Sequence, residues 1–138
     1  MQMEIYFDGK KKVNARYNGH VIKTDQPVEA GGENSSSAPF ELFLASIGTC
    51  AGIYVKSFCD QRGISTDNIK LYQNMHYNYE TKMIGKITLD IELPEDFPMK
   101  YKDALINFAN LCAVKKHLQN PPEIEVNSKI LNNINQEN

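Results

Sequence analysis

Three cysteines, Cys50, Cys59 and Cys112, carry most of the chemistry this sequence could perform. Cys50 lies in the middle of Pro39–Arg62, PFELFLASIGTCAGIYVKSFCDQR, an apolar run that reads as a helix, and Cys112 follows some sixty residues later. A thiol held in a helix, with a second thiol far along the chain, suits reversible redox chemistry. Cys50 and Cys59 are nine residues apart. On one helix that is about 13.5 Å of rise and about half a turn of net rotation. A disulfide needs Cα atoms within about 7 Å, so this pair cannot bridge in an intact helix. Cys59 therefore reads as a packing residue. Cys112 can meet Cys50 only through tertiary structure, and a helix beginning beside it would favour its thiolate through free N–H groups and the dipole. Taken alone, Cys50 also fits the role of a small core residue. Burial would then keep its thiol protonated unless a cation stood near. The arginines are Arg16 and Arg62. Arg62 is about 18 Å along the helix from Cys50. The cation must then be Arg16 or a lysine, supplied by the N-terminal segment or by a partner chain.

Other constellations are sparse. His20, His76 and His117 stand apart, with no HExxH and no CxxC, so neither a protein-built metal site nor a cofactor is expected. Gly31-Gly32 lacks the GxGxxG and Walker patterns, and no GxSxG occurs.

Composition narrows the class. The chain has 138 residues, 41% hydrophobic and 23% charged, with a formal net charge of −2. That suits one globular domain, residues 1–127, and offers no strong field to draw in nucleic acid or an anionic membrane. Lys10-Lys11-Lys12 follows Asp8-Gly9 and reads as a solvated turn. The start, MQMEIYFDGKKK, has no signal-peptide pattern, and no run reaches the roughly 18 uninterrupted apolar residues of a membrane span. An odd, sparse set of cysteines argues for a cytoplasmic protein with reduced thiols.

The elements that must position these residues follow from patterning. Glu4–Phe7, Val13–Tyr17 and His20–Thr24, joined by turns at Asp8-Gly9 and Asn18-Gly19, read as an antiparallel meander. Residues 25–37, DQPVEAGGENSSS, form a loop long enough to have a function of its own. Ser36 or Ser37 can cap the helix, Pro39 suits its first turn, and Glu41 places negative charge at the positive end of the dipole. Apolar residues then point in nearly every direction, which predicts a buried helix in the middle of the protein or along a subunit interface. Arg62-Gly63 stops it. Ile69–Tyr79 and the alternating Ile87, Leu89, Ile91, Leu93 read as strands. A second helix opens near Asp96 and Pro98 with a stripe of Tyr101, Leu105, Phe108 and Leu111. A third follows over Ala113–Leu118, and Ile124 and Val126 mark a last strand. Residues 128–138 are Asn-rich and read as a frayed tail. The order βββ-α-ββ-αα-β predicts an α+β domain, an antiparallel sheet around a long buried central helix.

Three stretches together resemble the OsmC/Ohr family of thiol-dependent hydroperoxide reductases. They are Gly31-Gly32 with its Ser-rich loop, Pro39-x-Glu41-Leu42-Phe43-Leu44-Ala45-x-x-Gly48-x-Cys50, and Leu111-Cys112-Ala113-Val114-Lys115. The likeness spans nearly the whole chain. It implies an intertwined homodimer with sites at the subunit interface. By that resemblance Cys50 is the nucleophile that attacks a peroxide, and Cys112 resolves the sulfenic acid to a disulfide, which a small dithiol reductant reopens. The family also uses an Arg and a Glu to activate the reactive thiol, for which Arg16 and Glu41 are the candidates here. The family's Glu precedes the cysteine by ten residues, a position held here by Phe40, with Glu41 one later. Ala113 and Lys115 replace a proline and a small hydroxyl residue.

The resulting reading is a peroxidase of organic hydroperoxides in oxidative stress defence, with Phe40, Phe43 and Tyr54 walling an apolar substrate pocket. The alternative is a small-ligand-binding or redox-sensing module of the same fold with little turnover, which Phe40 at the Glu position favours. Neither reading calls for nucleic acid, a membrane or a cofactor.

Overall fold

The computed structural model describes residues 1–132. The N-terminal meander consists of β1 (Glu4–Phe7), β2 (Val13–Tyr17) and β3 (His20–Ile22), antiparallel in that order. Asn18 and Gly19 both adopt the left-handed region, φ 48° and 77°, as a two-residue hairpin turn demands. β3 ends at Ile22 rather than Thr24. The Thr24 N–H goes to the Asn14 side-chain oxygen and its hydroxyl to the Val13 carbonyl, which draws the chain out of the ladder.

The loop at 25–37 contains a single 3-10 turn, Val28–Ala30. Gly31 closes it at φ 85°. Gly32 is required for a different reason. A Cβ there would lie 1.9 Å from the Gln26 carbonyl oxygen, so the two strands of the loop could not approach.

Helix α1 runs from Pro39 to Asp60. Its N-cap is Ala38, not Ser36 or Ser37. Ala38 has no side-chain acceptor, and the cap is made by the Glu41 carboxylate, which takes the Ala38 N–H at 2.8 Å. Ser36 instead donates to the Ser35 carbonyl. The helix stops as patterned, with Gly63 at φ 65° and the Ile64 N–H returning to the Cys59 carbonyl. The expectation of all-round burial is corrected for the single chain: Ile47, Ala51, Val55, Phe58 and Cys59 are buried, while Phe40, Phe43 and Ile53 are exposed. By length and composition α1 could cross a membrane, with a mean hydropathy of 1.5, so the absence of an uninterrupted apolar run was too narrow a test. The core helix of a soluble domain meets the same measure.

A hairpin of β4 (Lys70–Asn78) and β5 (Met83–Glu92) lies beside α1. Gln73 docks it by donating from Nε2 to the Leu44 carbonyl at 2.9 Å. Gly48 makes room, since a Cβ there would meet the Gln73 Oε1 at 2.7 Å. Past a 3-10 turn at Met99–Tyr101 come α2 (Lys102–Ala109) and α3 (Ala113–Gln119). The core forms where the C-terminal half of α1 meets α2, from Val55, Phe58, Cys59, Phe97, Leu105 and Ala109. Phe108 braces it, 5.4 Å from the Tyr54 ring and 5.9 Å from Phe58. Arg62 lies flat over Phe58 at 3.6 Å.

The fold is therefore α+β, with three α-helices and two small antiparallel sheets of three and two strands among the described residues. The strand expected at Ile124 and Val126 is not formed among the described residues: both are exposed, and neither sheet pairs with them. Extended backbone needs a neighbouring ladder to become a strand, and Pro121-Pro122 cannot donate to one. Of the expected frayed tail, residues 133–138 lie outside the described residues, and 128–132 are irregular and exposed.

The two packed glycines differ in what a methyl would strike. Gly32→Ala meets backbone and is expected to destabilise by at least about 2 kcal/mol. Gly48→Ala displaces only the mobile end of a glutamine, losing about 1 kcal/mol of hydrogen bond while gaining a similar helix propensity, and should stay near neutral. Urea unfolding midpoints at constant slope decide between them.

Candidate active site

Between α1, the hairpin, α2 and α3 lies a cavity of about 550 Å³. Its wall is aliphatic, including Ile47, Ala51, Leu71, Leu89 and Leu105, and Lys102, Asn110 and Lys115 also line it. Cys112 belongs to this wall and is buried. It is the N-cap of α3, and its Sγ accepts the Lys115 N–H at 3.4 Å, so the helix expected beside this thiol does begin there. The Lys115 ammonium turns back to the Asn110 side-chain oxygen at 2.5 Å.

Cys50 is half-buried and does not line the cavity, although its neighbours Ile47 and Ala51 do. Three residues place it about 60° around the helix from Ile47. Two turns separate it from Phe43 on the same stripe. Cys50 thus sits at the border between the cavity wall and the uncovered face of α1. All three cysteines are free thiols. Cys59 is enclosed in the core, where burial pushes its thiol pKa up.

Of the expected pocket walls, Phe40 and Phe43 stack on each other at 5.6 Å on the uncovered face, and Tyr54 turns to Phe108. None of the three lines the cavity. Glu41 is engaged at the helix cap. Arg16 is on β2, paired with Glu4 at 2.6 Å and stacked over Tyr6 at 4.4 Å; its pKa is raised by the Glu4 hydrogen bond. Within one chain, then, the cavity gathers Cys112 with Ile47 and Ala51, and the meander keeps Arg16 with its own acid.

Sequence reading overlooked two residues that shape this region. Gln73 gives no signal beyond being the polar member of an apolar stripe. Asp25 is the first residue of the 25–37 loop. It is buried, and it accepts from the Gln26 N–H at 2.8 Å, the Ser35 hydroxyl at 2.6 Å, the Ser35 N–H at 3.1 Å and the Glu33 N–H at 3.3 Å. The Ser35 hydroxyl first, then the backbone N–H groups, hold its carboxyl down to about 2. Lys10 and Lys12 both reach Glu33 at 2.5 Å, so the lysine cluster clamps this loop to the meander.

Residues 32–127 match the model of the OsmC-like protein family. Among solved structures, a Psychrobacter arcticus protein aligns at TM-score 0.68 and 17% identity, covering 84% of this chain and 86% of its own. The OsmC-like protein of Mycoplasma pneumoniae aligns at TM-score 0.65 and 14% identity, covering 87% of each. An organic hydroperoxide resistance protein OsmC of Legionella pneumophila aligns at TM-score 0.52 and 17% identity, covering 86% and 88%. At such identities the likeness is one of fold. No curated protein matches the chain at a significant level.

The matched stretch begins at Gly32, inside the loop that Asp25 organises. A carboxyl held low in the folded state contributes stability that is full above its ordinary pKa of 3.8 and is lost as pH falls toward about 2. Asp25→Asn should flatten that acid limb of the stability curve and speed amide exchange at Glu33 and Ser35. Unchanged exchange at both amides would remove the carboxylate from this role.

Proposed function

Since the chain belongs to the OsmC-like protein family, we propose that it is a thiol-dependent peroxidase that reduces organic hydroperoxides. The observation that carries this reading is an apolar cavity with the Cys112 thiol in its wall, bounded by the α1 turn that bears Cys50. The Cys50 thiolate attacks the outer peroxide oxygen. An S–O bond forms as the O–O bond breaks, and the alkoxide takes a proton and leaves as the alcohol. Cys50 is thereby oxidised by two electrons to a sulfenic acid. The Cys112 thiol attacks that sulfur, water departs, and a disulfide remains. A small dithiol reductant reopens the disulfide by exchange and is itself oxidised. The aliphatic wall favours alkyl over hydrogen peroxide, because only the former gains by leaving water.

The working unit in this reading is an intertwined homodimer in the cytoplasm. Phe40, Phe43 and Ile53 on the open face of α1, with the unpaired residues 123–127, are surface that a second copy would cover. Closure would bring the meander of one copy, with Arg16, to Cys50 of the other, and would press Cys50 toward Cys112. Residues 1–127 act as one domain.

A second reading has its own observation. Phe40 stands where the family's acid is expected, Glu41 is occupied by the helix cap, and Arg16 is held by Glu4. These favour a module of the same fold that binds a small ligand or senses redox state with little turnover.

With cumene hydroperoxide and a dithiol, wild-type turnover is expected to fall about a hundredfold or more in Cys50→Ser and in Cys112→Ser. Cys112→Ser should accumulate a sulfenic acid that dimedone traps at Cys50. Wild-type protein without turnover overturns the peroxidase reading in favour of the second.

A further inference from the structure

All five methionines of the chain, Met1, Met3, Met75, Met83 and Met99, lie on the surface. Methionine is ordinarily a residue of cores, so this distribution puts every thioether within reach of dissolved oxidants. Among the described residues, one of these sulfurs is built into a polar contact. Met75 stands two residues after Gln73 on β4, so both side chains leave the same face of the strand. The Gln73 Nε2 that donates to the Leu44 carbonyl at 2.9 Å also donates to the Met75 Sδ at 3.6 Å. Since the Leu44 carbonyl can only accept, it is the nitrogen end of the amide that faces both groups. Gln73 and Met75 line an open groove against Ala45, Gly48, Thr49 and Gly52 of α1. Small side chains on the helix leave room there for an added oxygen.

We propose that Met75 is a site of reversible oxidation by hydroperoxides, and that its sulfoxide draws the Gln73 amide off α1. The thioether sulfur attacks the outer peroxide oxygen, and an S–O bond forms as the O–O bond breaks. That oxygen brings its proton with it, and the proton passes to the departing alkoxide, leaving sulfoxide and alcohol. Sulfur is oxidised by two electrons and the peroxide reduced by two. No cysteine takes part, so the step is independent of any peroxidase turnover. A thioether is a weak acceptor, whereas the oxygen of a sulfoxide is strongly polar. The oxidised side chain therefore competes with the Leu44 carbonyl for the Gln73 amide, and it does so from the same strand. Leu71 and Ile91 still pack against the core, so the hairpin stays in place and the change is confined to the groove. The sulfurs of the other four methionines make no hydrogen bond among the described residues, so their oxidation has no such contact to rearrange.

The full chain is treated with tert-butyl hydroperoxide and then with a dithiol, which reopens disulfides and leaves sulfoxides in place. Peptide mass analysis should find one added oxygen on Met75, formed at a rate within about threefold of Met83 and Met99. That rate follows from an exposure of 47% for Met75 against 67% for each of the others. In nuclear magnetic resonance spectra the Leu44 carbonyl carbon should move upfield as it loses the Gln73 bond. Methionine sulfoxide reductase should return that signal to its starting position. Met75→Leu, which conserves volume, should leave the Leu44 signal still under the same treatment, while Met83→Leu behaves as wild type. Met75 left reduced while Met83 and Met99 are converted overturns the proposal. So does an oxidised Met75 with the Leu44 carbonyl unmoved, or a shift of wild-type size in Met75→Leu. Reversal by the reductase needs no variant, so the outcome stands even if Met75→Leu fails to fold.

Discussion

The seam between the C-terminal half of α1 and α2 is the constraint on which the rest of the structure depends. Val55, Phe58, Cys59 and Leu105 meet there with almost no exposure, and Phe108 and Arg62 cover the aromatic side. Fully burying each of these apolar side chains contributes roughly 1.5–3 kcal/mol. The seam thereby fixes the angle at which α2 leaves α1, and so the place where the chain turns into α3. Cys112 sits at that turn. Its position at the cavity wall follows from packing one and two turns below it, and its Sγ then caps α3 by accepting the Lys115 N–H.

The opposite half of α1 is held differently. There the hairpin is tied by a hydrogen bond from Gln73 to the Leu44 carbonyl, made possible by the missing side chain at Gly48, while its Leu71, Ile91 and Leu93 pack against the core. A helix interior that keeps a glycine gives up about 1 kcal/mol of propensity relative to alanine. Here that deficit accompanies a close docking of sheet on helix. The cavity lies between these aliphatic side chains of the hairpin and those of α1 and α2.

Much of this was legible in the residues. Period-two and helical patterns located the meander, the long helix, the hairpin and the two short helices, because each depends on local alternation of polar and apolar side chains. Asn18-Gly19 and Gly63 were readable because only a few residues tolerate a positive φ. What could not be read required partners distant in the chain. Ile124 and Val126 have strand chemistry but no strand beside them, and the apolar turn at Phe40 and Phe43 has nothing over it within one copy. Phe40, Phe43 and Tyr54 are large and near Cys50 in sequence, yet within one chain helix azimuth directs them away from the cavity. Asp25 was invisible as a hub because three of its four donors, on Glu33 and Ser35, become neighbours only after the loop closes.

The three free thiols form a depth series. Cys50 is half open, Cys112 is covered at a cavity wall, and Cys59 is sealed in the seam with its protonated form favoured. An alkylating reagent would therefore meet them in order. The slowest of the three reports how often the α1–α2 joint separates, so the polypeptide carries an intrinsic clock for its own opening that needs no introduced label.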